Sequence, residues 1–519
     1  MLRRITNRLR IDRPRVRYSG TSCTAQKQKG LVLGVYDGCC PGEFKLSPTA
    51  AKFDECVSGR LTELLKGTKL KSGKVQVFGN LGDEFYLVAA AGLGPESATT
   101  NQAEGLDECK EYIRIAAGVG AQALQDQTIT NIFVEEFTNA ESAAEGAALG
   151  VWRYQDWKAK EQQLTASAID LYTGNDREGW NRGLVKAEAQ NMARELEEVP
   201  GNLMTPSIFA RFVQEHLCPC GVTVETKDKD WIERHHFHAF LTMAKGSCEP
   251  PVLIELRYCG VQSNEKPIVL SGKAATFDTG GLCLKACKGM SVHRADIAGA
   301  AVTVGTFRAI ARMRLPLNVT ALLAVYENMP SGMSVKPGDV VMARNGKTIR
   351  IEDTDNDGRV VLADVLSYSS VYQPCLVINM GTSNPGLLTS LGAPPNGVFS
   401  TSDIIWWEMH RAGMYTGDRV WRLPFWKFFR SRVTNFVGVD TTNVGRGPGG
   451  YPCLAAAFLL EFIPPCIDFV NIDISGTGTV NVHTGMPYLR KQSMSGRPVR
   501  TIAQFLYQIA CPHEYIHDC

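Results

Sequence analysis

Strand-sized apolar runs and helix-sized segments take turns along most of this chain, and that alternation constrains the fold more than any other feature. Gly30–Tyr36, Val75–Phe78, Tyr86–Ala91 and Ile129–Glu135 have the length and composition of strands. Between and after them, Leu61–Leu65, Cys109–Leu124 and the small-residue stretch Glu141–Trp152 have the length and composition of helices. Regular alternation of this kind predicts α/β layers, with helices packed on sheets. Asp176–Glu198 is long, charged and free of proline, and predicts a helix that stops at Pro200-Gly201. A second alternating region follows, with strands at Val252–Arg257, Ile268–Ser271 and Val319–Tyr326 and a helix at Ala298–Met313. Val340–Ile351 alternates around Asn345-Gly346, a strong hairpin signal. The fold class is therefore α/β in two domains: a smaller N-terminal α/β domain at 30–175, a connecting helix at 176–199 and a larger C-terminal α/β domain at 200–519 with a mixed sheet flanked by helices.

The 519 residues suit two or three domains, and 44% hydrophobic with 21% charged residues is an ordinary globular balance. The net charge of +2 conceals an asymmetry. Residues 1–30 hold nine Lys/Arg and only Asp12 as an acid, which leaves the remaining chain at −6. A mildly acidic body argues against nucleic-acid binding. No apolar run approaches the roughly 18 residues of a membrane span. The 16 cysteines form no C-x-x-C pair and are irregularly spaced, which suits reduced thiols rather than a disulfide framework. Seven arginines crowd residues 1–17, with Leu2, Ile5 and Leu9 on one helical face and Ser/Thr residues beyond. Arg-rich, acid-poor and amphipathic, segment 1–29 reads as a mitochondrial transit segment, the alternative being a basic tail on a cytoplasmic protein.

The densest charge in apolar surroundings lies between 268 and 364. Lys273 and Asp278 fall at and just past a strand end, where α/β sheets place their sites. Lys285 follows, then Asp296 at the start of an Ala/Gly-rich helix, then the acidic run Glu352-Asp-Thr-Asp-Asn-Asp-Gly-Arg359. Carboxylates this dense repel one another, and a bound cation is the simplest way to hold them. The structural alternative is a salt-bridge network with Lys273, Lys285 and Arg359.

Gly272-Lys273-Ala274, Phe277-Asp-Thr-Gly-Gly281, Arg294-Ala-Asp296 and Asp353-Thr-Asp-Asn-Asp-Gly-Arg359 stand in the order and spacing of the leucyl aminopeptidase family of dinuclear metallopeptidases, which the chain resembles. Pro200-Gly-Asn-Leu-Met-Thr-Pro206, Arg344-Asn-Gly-Lys347, Thr416-Gly-Asp-Arg-Val-Trp-Arg422 and Ser495-Gly-Arg-Pro498 extend the resemblance. It implies two divalent ions, Mn²⁺ or Zn²⁺, on Lys273, Asp278, Asp296, Asp355 and Asp357. It also implies that Lys285 donates to the carbonyl oxygen, that Arg359 holds bicarbonate or water, and that the substrates are peptides trimmed from the N-terminus. It further implies a homohexamer. The family's bridging Glu is Asp357 here, about 1.5 Å shorter in reach. His293 stands where a Met lines the side-chain pocket, and Gly381-Thr-Ser-Asn-Pro-Gly386 replaces the substrate loop, with Pro385 where a flexible Gly is usual, Ser383 and Asn384 altering the pocket wall, and Thr382 as a further substrate-binding candidate. These departures, with the transit-like N-terminus, also resemble the mitochondrial aminopeptidase relatives of insect sperm. They leave a weakened or inactive scaffold with a structural or storage role as the second reading.

Three motifs are set aside. Asp353–Asp364 matches the start of an EF-hand loop but lacks a preceding helix. His235, His236 and His238 alternate as on a solvated strand, and Gly445–Gly450 reads as a loop without a phosphate-binding strand–loop–helix context. For the N-terminus, the expected outcome is cleavage between about residues 18 and 30. N-terminal sequencing of the protein from cells checks it, and an intact Met1 in a cytosolic fraction would contradict it.

Overall fold

A computed structural model describes residues 28–38, 43–262, 265–383, 385–480 and 485–512. The Arg-rich segment 1–17 and Asn384 lie outside the described residues. The chain divides into two compact units, 1–99 with 108–184, and 100–107 with 185–519. The division falls inside the helix Arg177–Glu198, and the short hairpin of Thr100–Asn101 and Leu106–Asp107 groups with the second unit.

In the first unit, β1 (Lys29–Asp37) lies between β4 (Leu87–Gly94) and β5 (Asn131–Glu135), parallel to both. β6 (Ala168–Tyr172) extends the sheet beyond β5 in parallel. β3 (Val75–Gly79) and β2 (Phe44–Leu46) pair antiparallel with β4 and β1. Leu31–Val35 of β1 are buried on both faces, as expected of a parallel strand between two helical layers. One layer is built from α1 (Pro48–Cys56) and α2 (Arg60–Leu65), the other from α3 (Glu108–Asp126) and α4 (Ala140–Val151). Ser47 and Asn139 accept from backbone N–H groups at the starts of α1 and α4, and Pro48 fits the first turn of α1.

The second unit is built on a nine-stranded mixed sheet among the described residues. Its middle consists of β9 (Ile268–Gly272), β11 (Asn318–Asn328), β14 (Leu376–Gly381) and β19 (Asp468–Asp473). These four run parallel in the order β11-β9-β14-β19. β10 (Ala274–Asp278) continues from β9 and also pairs in parallel with β11. Antiparallel strands β8 (Val252–Cys259) and β7 (Thr223–Lys227) extend one side, and β15 (Asn396–Ser400) and β16 (Val420–Arg422) the other. The predicted hairpin forms as β12 (Val340–Met342) and β13 (Thr348–Arg350), in a separate four-stranded sheet. Helix α9 (Ala298–Met313) and the wholly buried helix α10 (Asp357–Tyr368) are rich in Ala, Val and Gly, which lets them pack closely on the parallel strands.

Two expectations change here. His235, His236 and His238 do not sit on a strand. They join the helices Lys229–Arg234 and His238–Ala244, with His235 stacked on Trp231 at 3.6 Å and the other two exposed. Gly445–Gly450 does lie between a strand, Val439–Thr442, and a helix, Tyr451–Leu460. Among the described residues every cysteine is a free thiol, and no helix is long and apolar enough to cross a membrane.

A buried acid in the first unit gives a test of the packing. Glu135 accepts from Gly34 N–H at 2.7 Å and from the Ser47 hydroxyl at 2.8 Å, and burial pushes its carboxyl up to about 8 from an ordinary 4.5. Between those values the native state keeps a proton that the unfolded chain releases, so stability falls as pH rises through that window. Glu135→Gln is expected to remove this fall. The difference in melting temperature between variant and wild type should widen from about pH 5 to about pH 8, and parallel profiles would refute the assignment.

Candidate active site

The C-terminal ends of the parallel strands converge on Lys273. This residue sits between β9 and β10, and its backbone is held on both sides: its N–H donates to Met380 O at 2.9 Å and its carbonyl accepts from Ala300 N–H at 3.0 Å. Gly272 and Gly299 permit that approach, since a Cβ on Gly272 would lie 2.3 Å from Gly299 O and one on Gly299 2.3 Å from Met380 O. The lysine stem then passes over the first turn of α10, where a Cβ on Gly358 would lie 2.6 Å from Lys273 Cδ.

Three buried carboxylates meet the Lys273 ammonium: Asp278 at 2.8 Å, Asp357 at 3.0 Å and Asp296 at 3.3 Å. They arrive from the end of β10, the start of α10 and the 3-10 turn before α9. Lys285 extends the cluster outward, 3.1 Å from Asp278 and paired with the partly exposed Asp355. The shorter side chain therefore does not leave Asp357 outside the group. Its Oδ2 accepts from the Tyr326 hydroxyl at 2.6 Å. Its Oδ1 faces Lys273 without the angles of a hydrogen bond and is otherwise a buried oxygen lacking a partner.

The remaining predicted residues separate into two places. Thr382 Oγ1 donates to Asp296 Oδ1 at 3.3 Å, and His293 Nδ1 lies 3.6 Å from Asp296 Oδ2. Arg359 turns toward the loops, donating to Asn443 O at 2.7 Å and Ser383 O at 3.0 Å. With Lys273, Asp355, Asp357, Thr382 and Ser383 it lines a small cavity of ≈ 20 Å³. Pro385 instead lines a larger cavity of ≈ 670 Å³ with Asp353, Leu387, Leu423, Tyr451 and Cys453. Asn356 borders both. The larger volume lies in the range of small-ligand pockets.

Sequence reading missed the residues that orient the cluster. Asn328 Nδ2 donates to Asp278 Oδ1 at 2.9 Å and to Thr354 O at 3.1 Å. Asn443 accepts from Glu352 N–H at 2.9 Å and donates to Asp353 O at 2.6 Å, fixing the acidic loop. The available signal for Asn328 and Tyr326 was polar groups at the C-terminal end of a parallel strand whose middle, Ala321–Val325, is apolar. Asp364, twelfth in the apparent EF-hand loop, caps Phe240 and Arg344 N–H groups at 3.0 and 2.7 Å, so it serves the packing instead.

The electrostatics follow from burial against charge. Burial alone would lower the Lys273 ammonium, but Asp278, Asp296 and Asp357 together hold it well above the usual lysine range. Burial, with Asp357 nearby, pushes Asp278 up to about 7 against the pull of Lys273. Burial also opposes ionisation of Asp296, yet Lys273 outweighs it and keeps that carboxyl well below the ordinary range. Burial lowers Arg359 only to about 10, so it is a cation at neutral pH.

Four carboxylates face two lysines, leaving two negative charges in a largely buried site. With Lys273 neutral, the same four carboxylates would offset the four positive charges of two divalent ions, and Lys285 would add one further positive charge. The donor set, oxygens with one amine nitrogen, suits hard or borderline cations. Among the described residues no group of three His, Cys, Asp or Glu side chains surrounds a point at ligand spacing, and the Lys273 and Lys285 ammonium groups stand between the carboxylates. Any cation bound here would compete with the Lys273 proton for the same oxygens.

Comparison with known proteins gives a consistent picture. The model of the cytosol aminopeptidase family catalytic domain matches residues 191–503, and that of the family's N-terminal domain matches 32–161. The chain is 39% identical to cytosol aminopeptidase of Bos taurus over 492 residues, covering 94% of each. It is 32% identical to that of Dictyostelium discoideum over 92% of each. Among solved structures, the bottromycin maturation enzyme BotP in complex with Mn superposes with a TM-score of 0.79 at 26% identity, covering 94% of this chain and all of that one.

Removing the central charge tests the cluster directly. Lys273→Met leaves three buried carboxylates facing one another, and loss of one partner from a buried ion pair costs about 3–5 kcal/mol. The cation-free variant should melt well below wild type, with the deficit shrinking as pH falls and the carboxylates take up protons. Unchanged melting at neutral pH would contradict this charge balance.

Proposed function

Because the chain belongs to the cytosol aminopeptidase family, we propose that it is a metal-dependent aminopeptidase releasing leucine-like N-terminal residues from peptides. Family membership supports aminopeptidase activity, and metal dependence is general in the family. The observation that carries the reading in this chain is the buried convergence of Asp278, Asp296 and Asp357 on one lysine nitrogen at the ends of parallel strands.

Lys273, Asp278, Asp296, Asp355 and Asp357 would hold two divalent ions, Mn²⁺ or Zn²⁺, which would supply a water made nucleophilic at neutral pH. Lys273 must then be neutral, and its position among the ligands makes ion uptake release a proton. Lys285, anchored by Asp278 and Asp355, presents its ammonium at the open side of the cluster. There it would donate to the scissile carbonyl oxygen as negative charge develops. Arg359 keeps its charge beside the small cavity, where it would hold bicarbonate or water close to Asp357 and Lys273. His293 and Thr382 border Asp296, and Pro385 walls the larger cavity; together these would shape the binding of the N-terminal residue and the chain that follows it. The reading extends to a homohexamer, on the family resemblance, and to a mitochondrial location, on the Arg-rich segment 1–17.

The test is hydrolysis of a leucyl amide by the purified protein loaded with Mn²⁺ or Zn²⁺. Activity should vanish with a chelator and return with the ion, and an N-acetylated substrate should not turn over. Lys285→Met should lower kcat about 10²–10³-fold, the usual effect of losing one oxyanion donor, with KM changed much less. Absence of turnover in fully loaded wild type would overturn the reading and leave a structural role for the scaffold.

A further inference from the structure

The strand end beside the cluster holds a group that no part of the reading above uses. Tyr326 is fully buried near the end of β11. Its backbone pairs with Ala275 of β10, and its carbonyl accepts from Thr276 Oγ1 at 3.2 Å. Its ring stands edge-on to Phe240, with centroids 6.0 Å apart. Backbone and ring are therefore fixed by packing, and the hydroxyl can point in few directions. It donates to Asp357 Oδ2 at 2.6 Å.

The consequence lies in the other oxygen. Asp357 is completely buried, and its Oδ1 has no hydrogen bond. A buried carboxylate oxygen without a hydrogen bond is costly unless a nearby charge offsets it, and native structures keep few of them. Here it is kept 3.0 Å from Lys273 Nζ, the nitrogen that the other two buried carboxylates also meet. Asn328 lies two residues after Tyr326, on the same face of the strand, and holds Asp278 Oδ1 in the same manner at 2.9 Å. One strand edge thus orients two carboxylates through neutral donors.

We propose that Tyr326 is a positioning residue for the cation centre. Its hydroxyl occupies one oxygen of Asp357 and aims the other inward, and the phenol together with the short carboxylate fills the length that a longer acid would span alone. Tyr326 and Asp357 are in this view one unit, and neither can be changed singly without loss. The inference rests on the metal-dependent reading of the site.

The experiment uses full-length wild type, Tyr326→Phe, Asp357→Glu and the double variant. Each is titrated calorimetrically with Mn²⁺ and with Zn²⁺, melted without metal, and assayed for kcat and KM on a leucyl amide. Tyr326→Phe should bind at least one ion about tenfold more weakly, with kcat reduced more than KM. Asp357→Glu should also bind more weakly, because the added methylene meets the phenol in a filled space. The double variant, which removes the hydroxyl and lengthens the acid, should regain affinity to within a few-fold of wild type. Two damaging changes that rescue each other are not produced by a merely structural tyrosine, which would lower metal-free melting in both backgrounds without rescue. Tyr326→Phe with wild-type affinities, or a double variant worse than either single, overturns the inference while the metal reading stands. Wild type that takes up neither ion overturns both. Should Tyr326→Phe fail to fold, Asp357→Glu decides: weaker binding supports the inference and tighter binding overturns it.

Discussion

The second unit depends on one buried ammonium group. Lys273 faces three buried carboxylates, of which burial would otherwise drive Asp278 and Asp296 toward protonation, and the three together keep the lysine charged. Neither side is tolerable in the interior without the other, because an isolated buried charge costs far more than a paired one. The backbone is arranged around that requirement. Gly272, Gly299 and Gly358 lack side chains at the three points where the strand end, the start of α9 and the start of α10 press on the lysine.

A network this charged is poor evidence of stability for its own sake, since packed apolar groups of similar volume generally do as well. Its surroundings point the same way. Thr354 donates to Gly280 O at 2.6 Å and accepts from Cys283 N–H at 2.8 Å, so the loop after β10 is tied to the acidic loop before α10. Asn443 clasps that acidic loop and also receives Arg359. The polar residues around the cluster fix the positions of its carboxylates, as a cation site with pre-placed ligands would require.

Much of this could be read from the chain. The helices at 177–198 and 298–313 and the strands at 252–259, 268–272 and 318–328 lie where periodicity and composition put them, because their patterns are long and unbroken. The histidines at 235–238 lie on the surface as read, but their strand assignment failed because a four-residue alternation cannot be told from a helix–turn–helix junction, which Trp231 and the buried Phe237 decide by packing. The loop at 445–450 was placed correctly as a loop, but the strand before it is too short to announce itself.

The sequence by itself determined the α/β class, the order of the elements and the set of charged residues that had to be reconciled in one interior. Those follow from local periodicity and from the cost of burying charge, which act at any position regardless of its distant neighbours. The tertiary structure alone decided which charges meet. Asp278, Asp296 and Asp357 stand apart in the chain, and a strand end, a turn and a helix start bring them within 3.3 Å of the Lys273 nitrogen. It also decided how Asp357 is held. Reach counted along one side chain makes the residue look too short, but a phenol from a neighbouring strand shares the space and the hydrogen bond, and only packing in three dimensions can supply that partner.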